Sequence, residues 1–320
     1  MLVQHIRNGL IEEEHDGCIM TLNSGDKTNY PYYLRSCAKP LQASLIIDYG
    51  LDKKFNLTSE EIALCCASHA GEKCHTDIAE RLLNKFGLTY NQLKCGLHKP
   101  LFNKNTMDEV TYFHNNCVGK HILFLALCKE NGWDTKTYDC IDNPLQQEVI
   151  RKLSELCEVK TRVQDETTNN YNNNHTYSYP YPITKDGCGV PILSMPLRNI
   201  LKGFINLFCD KKYEKIKDAY LENPYIIGGK DRLDTEIIQN SKGLVAKVGA
   251  GGLCVVVNIE LKDGLIVKIN DCNMDTRRLV VFEALNKLGW SDYKCDKSIK
   301  TLHNEIVGEI VINTGNLNGE

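Results

Sequence analysis

The chain carries its strand-like segments at its two ends. Residues 3 to 22, VQHIRNGLIEEEHDGCIMTL, roughly alternate apolar and polar positions, and Asp16-Gly17 is a turn signal, so two strands joined at His15 to Gly17 are expected there. Near the other end, GLVAKVGAGGLCVVVNIEL and GLIVKIND read as consecutive strands punctuated by glycine, followed by a helix from Arg277 to Leu288. Between them the apolar spacing turns to three and four. It predicts helices at 58–68, opened by a Thr58/Glu61 capping box, and at 75–87, 119–131, 144–157 and 197–221. A short strand is expected at Tyr30 to Leu34, and the asparagine-rich stretch TTNNYNNNHTYSYPYP, 167 to 182, reads as an exposed loop. Strands at both ends with helices between them imply an α+β fold. Its terminal segments share an antiparallel sheet, and a mostly helical middle, about 58 to 222, packs on that sheet within one domain.

Composition excludes several classes of partner. With 320 residues, 42% hydrophobic and 25% charged, the chain can bury a substantial core, and a net charge of -3 offers no electrostatic grip on phosphate backbones or anionic lipid. No nucleic-acid or membrane partner is expected. No run of 18 apolar residues occurs, and the N-terminal stretch turns acidic before a signal-like segment forms, so a cytoplasmic location is expected. The 15 cysteines are odd in number and contain no CxxC pair, which points to reduced thiols, most of them core filler.

The stretch RSCAKPLQASLI, 35 to 46, sets Ser36 and Lys39 one helical turn apart, ahead of Pro40. A serine hydroxyl is a weak nucleophile until a base takes its proton, and a lysine three residues on can reach that oxygen. Proline suits a helix's first turn, where amide donors lack intrahelical partners. The bare pattern is weak: 11 serines and 29 lysines give about one Ser-x-x-Lys by chance, and the chain has three, at Ser24, Ser36 and Ser291. Ser24 lies in a polar turn and Ser291 follows a helix end, so context favours Ser36; a helix cap beside a solvated lysine is its plain alternative.

Four further clusters carry reactive side chains: CCASHAGE with Ser68, NNCVGKH with Cys117 and Lys120, KDGCGVP with Asp186 and Cys188, and VAKVGAGG with Lys247. Taken singly, each thiol is more often core than ligand. GAGG has the look of a phosphate loop, but a strand follows it instead of a helix, which argues against a dinucleotide site.

Together and in this order, RSCAKPLQ, SHAGE, NNCVGKH, DGCGVP and AKVGAGG resemble the type II, Rhizobium etli-type L-asparaginases, whose fold is similar to serine β-lactamases and penicillin-binding proteins. The resemblance covers nearly the whole chain. It implies an amidohydrolase converting L-asparagine to L-aspartate and ammonia, usually as a homodimer. Carried over by position, it makes Ser36 the nucleophile, Lys39 its base, and Ser68 with Lys247 a second Ser-Lys set. It implies that Cys117, Lys120 and Cys188 hold zinc with water as fourth ligand, the lysine binding as the neutral amine. Arg35 and Asp186 are candidates for substrate binding. The sequence departs from the family pattern at Val118 and Ala70, neither of them a ligand or nucleophile. Two alternatives stay open: a serine-dependent glutaminase or penicillin-recognising hydrolase, and a zinc-binding protein without turnover.

Overall fold

The computed structural model describes residues 1–24, 29–101, 110–164, 176–315 and 317. Among these the strands, in chain order, are β1 (Val3–Arg7), β2 (Leu10–His15), β3 (Gly17–Thr21), β4 (Pro31–Tyr33), β5 (Arg162–Gln164), β6 (Thr176–Ser178), β7 (Ile183–Lys185), β8 (Pro191–Pro196), β9 (Leu244–Gly249), β10 (Leu253–Asn258), β11 (Asp263–Ile269), β12 (Ser298–Lys300) and β13 (Ile306–Ile312).

The protein is α+β, and its terminal strands divide between two antiparallel sheets. One runs β12-β13-β1-β2 and the other β3-β11-β10-β9; β4-β8-β7 and β5-β6 form two smaller sheets. In the second large sheet β9, β10 and β11 are apolar and buried at nearly every position, a pattern that requires cover on both faces. Helices Leu197–Cys209 and Met274–Lys287 supply it by packing on β10 and β11. A single buried apolar cluster runs from these strands into the middle helices. No described helix is long and apolar enough to cross a membrane.

The first hairpin turns one step earlier than the sequence reading placed it. β1 and β2 join through Asn8 and Gly9, both at positive φ (44° and 84°), the backbone a tight hairpin needs. Asp16-Gly17 is instead the crossing from one sheet to the other. A Cβ at Gly17 would lie 2.1 Å from the Lys268 carbonyl oxygen, so glycine there serves close pairing of β3 with β11.

Most helix ends follow their caps. Helix Ser59–Cys66 opens with the Thr58/Glu61 capping box, Pro144–Leu156 starts on Asn143, and Met274–Lys287 starts on Asn273. The single helix expected at 197–221 is two, Leu197–Cys209 and Glu214–Glu222, because the Asp210 side chain accepts from Lys212 N and caps a short turn between them. Of the expected loop at 167–182, residues 167–175 lie outside the described residues, and 176–178 form β6.

Candidate active site

Ser36 sits where a strand becomes a helix. β4 hands the chain to Leu34, Arg35 adopts φ 49°, and a short 3-10 turn, Arg35–Cys37, runs into the fully buried helix Ala38–Ala43. A left-handed non-glycine residue costs on the order of 1 kcal/mol, and here it redirects the chain immediately before the serine. The end of β9 crowds this turn: a Cβ on Gly249 would approach both Leu34 O and Cys37 Sγ to 3.0 Å. Cys37 itself is core, and burial pushes its thiol up to about 12.

Lys39 is 1% exposed and donates three hydrogen bonds, to Ala67 O (2.8 Å), Asn116 O (2.8 Å) and Ser68 Oγ (3.0 Å). Burial holds the Lys39 amine below its ordinary value; Lys120 and Lys247 push the same way, against Cys117 and Cys188. The SHAGE and NNC segments thus converge on the lysine of RSCAKP. The expected Ser36–Lys39 contact is not a hydrogen bond in this arrangement.

Lys247 points elsewhere than its expected partner. Its ammonium pairs with Asp234 Oδ2 at 2.7 Å, both side chains fully buried, and also donates to Val248 O at 3.1 Å. Burial opposes the Asp234 charge, but Lys247 and Arg232 outweigh it and hold that carboxyl below the usual range. No hydrogen bond joins Lys247 to Ser68. Asp234 lies near the start of helix Leu233–Asn240, and as one of three acids in DRLDTE it carries no sequence signal of its own.

A cavity of about 320 Å³ opens between these elements, lined by Ser36, Ser68, Asn116, Arg232, Arg277 and the turn 249–252. The GAGG segment is that turn. Gly251 and Gly252 have φ near 76° and 77°, and a Cβ on Gly252 would meet Ile269 O at 2.0 Å. Arg277 braces it, donating to Gly249 O (2.9 Å) and Leu253 O (3.2 Å), while its buried Nε has no hydrogen-bond partner among the described residues. Sequence reasoning missed Arg277 because nothing local distinguishes it from Arg278.

Cys117, Lys120 and Cys188 come together. Lys120 Nζ donates to Cys188 Sγ at 3.1 Å, and the Cys117 thiol donates to Asn116 Oδ1 at 3.6 Å. The neighbouring Cys188 holds Cys117 well below its ordinary value, with Lys39 and Lys120 helping against burial, and Cys117 in turn raises Cys188. Burial alone would lower Lys120, but Cys188, Cys117 and Asp186 raise it. Asn115 Oδ1 accepts from Cys117 N at 2.8 Å and fixes this corner. Gly119 lets helix Val118–Asn131 approach the Leu64 backbone, since a Cβ there would stand 2.1 Å from Leu64 O. Two sulfurs and an amine form a donor set that suits zinc; binding would remove the Cys188 proton and one from Lys120.

Arg35 and Asp186 are paired, Nε to Oδ1 at 2.6 Å, and neither is among the residues lining the cavity. Burial opposes the Asp186 charge, while Lys120 and Arg35 hold its carboxyl below the usual range. Asp186 so links the thiol cluster to the residue beside Ser36. Val118 and Ala70, the two departures from the family pattern, are buried and do not line the cavity either.

No curated protein matches the chain. Among solved structures, a β-lactamase from Mycobacterium bovis aligns at 13% sequence identity and a TM-score of 0.39, over 89% of this chain and 93% of that one. The family model for L-asparaginase II matches residues 3–318, and the chain belongs to the L-asparaginase II family.

Proposed function

We propose that the protein hydrolyses the side-chain amide of L-asparagine to L-aspartate and ammonia through an ester on Ser36. The observation that carries this reading is one cavity lined by Ser36 and Ser68 with the depressed amine of Lys39 hydrogen-bonded at its edge, in a chain of this family.

Lys39 in its neutral form takes the Ser36 proton, directly or through Ser68, as Ser36 Oγ bonds to the amide carbon. Backbone amides of the Ser36 turn and of the turn 249–252 hold the developing oxyanion. The carbon–nitrogen bond breaks as Ser68, recharged by Lys39, protonates the leaving amine. Water then attacks the ester, gives its proton back through Lys39, and frees aspartate and Ser36. Lys247, held by Asp234, adds its positive charge to the burial and the Lys120 charge that keep Lys39 deprotonatable.

Arg35 and Asp186 offer the two charges that a zwitterionic amino acid can exchange into, guanidinium to carboxylate and carboxylate to ammonium. Arg277 provides a further cation at the cavity wall. Cys117, Lys120 and Cys188 would hold zinc, which when bound supplies polarisation and orientation of the substrate. A homodimer belongs to the same reading and is measured by sedimentation.

A second assignment rests on one contact: Ser68, the hydroxyl bonded to Lys39, is the nucleophile. The test is ammonia release from L-asparagine and L-glutamine by the wild type, Ser36→Ala and Ser68→Ala, with mass spectrometry of the quenched ester. An ester on Ser36 that is absent from Ser36→Ala supports the first assignment. An ester retained in Ser36→Ala and lost in Ser68→Ala supports the second, and no release from either amide by wild-type protein, with zinc added, overturns both.

A further inference from the structure

A second cluster of ligating side chains lies far along the chain from the thiols. In the β1–β2 hairpin His5 stands opposite Glu13 and Val3 opposite His15, so His5, Glu13 and His15 share one face. The face is graded in exposure: Glu13 is open to solvent, His5 is partly covered and the His15 side chain is 3% exposed.

The distances suit a common cation. His15 Nε2 lies 3.2 Å from Glu13 Oε1, His5 Nδ1 lies 3.5 Å from Glu13 Oε2, and one donor atom from each residue falls within 4.8 Å of the others. Ligands about 2.0–2.1 Å from a tetrahedral zinc are separated by about 3.4 Å, so both histidine–carboxylate pairs already have that spacing. Closing the third pair needs a small movement of a hairpin whose Glu13 is unconstrained by burial.

His15 is also oriented. Its Nδ1 is 2.5 Å from Asp271 Oδ2, and a carboxylate only accepts, so Nδ1 carries a proton and Nε2 is the atom turned toward Glu13. In the neutral ring that leaves a nitrogen lone pair 3.2 Å from a carboxylate oxygen, without the alignment of a hydrogen bond between them. A cation between them, a metal ion or the second proton of the ring, makes the contact favourable. His15 Nε2 is buried with no hydrogen-bond partner among the described residues, as is His5 Nε2. An acid holding the far nitrogen of a histidine ligand is the usual outer shell of a protein metal site.

We propose that His5, Glu13 and His15 form a binding site for a divalent transition-metal ion, distinct from the Cys117–Lys120–Cys188 cluster. Two imidazoles and a carboxylate select zinc and its borderline neighbours over magnesium and calcium, which favour all-oxygen sites. An ion there ties the hairpin of one large sheet to the β11–helix junction of the other. Asp271 Oδ1 accepts from Asn273 N, Asn273 caps Met274–Lys287, and that helix carries Arg277 to the cavity wall.

The test counts zinc on chelator-stripped full-length protein at neutral pH, by atomic emission after equilibrium dialysis. Cys117→Ser/Cys188→Ser protein is expected to retain about one equivalent, lost on adding His5→Ala or His15→Ala and bound about 10- to 100-fold more weakly with Asp271→Asn. No retained zinc in the cysteine variant, or retention that neither histidine change affects, overturns the proposal and leaves the second ring proton as the cation. Should the cysteine variant fail to fold, wild-type protein is titrated with Co²⁺. One equivalent that lacks a thiolate charge-transfer band and disappears in His5→Ala supports the site; no such equivalent overturns it.

Discussion

Lys39 Nζ lies 3.0 Å from Ser68 Oγ, whereas Ser36 Oγ, one turn away along the chain, has no hydrogen-bond partner among the described residues. The base is therefore already engaged with one hydroxyl while the other faces the cavity. Ser36→Ala is expected to lower kcat by about 10³-fold or more, as loss of a nucleophile does. Ser68→Ala, which removes a relay, is expected to cost about 10²-fold, the scale of a proton-transfer contribution. Steady-state ammonia release measures both, and equal losses would put the two serines in one inseparable unit.

The second expectation concerns pH. Lys39 is depressed in the folded protein, so between its folded value and the ordinary 10.5 the unfolded chain binds the extra proton. Its contribution to stability thus increases as pH rises through that window, and its burial penalty is fully present below the folded value. Activity that depends on the neutral amine rises with pH in the same direction. Lys39→Arg, which stays charged, is expected to lose the activity at every pH, about 10³-fold or more; pH–rate profiles of metal-stripped protein check the limb.

Asp234 and Lys247 form a fully buried ion pair. Asp234→Ala leaves an uncompensated buried ammonium and is expected to destabilise the fold by about 3–5 kcal/mol in urea titrations. Asp234→Leu with Lys247→Met is expected to recover most of that loss while leaving activity low. The Asp234 carboxyl is held below its ordinary 3.8, so the pair's contribution is present above that value and is lost as the pH falls through the folded one.

Gly119 has no room for a side chain, its notional Cβ standing 2.1 Å from Leu64 O. Gly119→Ala is expected to cost about 3 kcal/mol or more by forcing two helices apart. Because Lys120 is the next residue, zinc affinity should fall with it; a variant of wild-type stability would show that the helices can slide.

Arg35→Ala should raise KM for L-asparagine about 10-fold or more, with a smaller change in kcat, if the Arg35–Asp186 pair exchanges partners with the substrate. A purely structural bridge would instead shift thermal stability and leave KM alone.

The parts of the fold written in local chemistry were legible. Thr58 with Glu61, the apolar spacing at 144–157 and the apolar runs at 244–269 each specify their element from neighbours in sequence. The first hairpin was misread because two turn dipeptides compete in one segment: Asn8-Gly9 supplies the positive φ values, while Gly17 is small for the sake of a strand from the other end of the chain. The site divides in the same way. RSCAKP, SHAGE, NNCVGK and DGCG mark residues that do converge, yet no pattern reveals that Lys39 turns to Ser68, or that Lys247 is matched by an aspartate on a separate helix. Such pairings are decided by packing between distant elements, which composition and spacing do not encode.

The pairing of β1 with β13 sets Val3 opposite Ile312, and β3 likewise waits for β11. During synthesis at about 5–20 residues per second, the first strands are exposed for roughly 15 to 60 s before their neighbours leave the ribosome. Through that interval the nascent chain presents open edges on β1 and β3, with Val3, Ile19 and Met20, which the finished fold buries, still uncovered. Late closure of both large sheets, once their C-terminal strands are released, is therefore built into the order in which this protein is made.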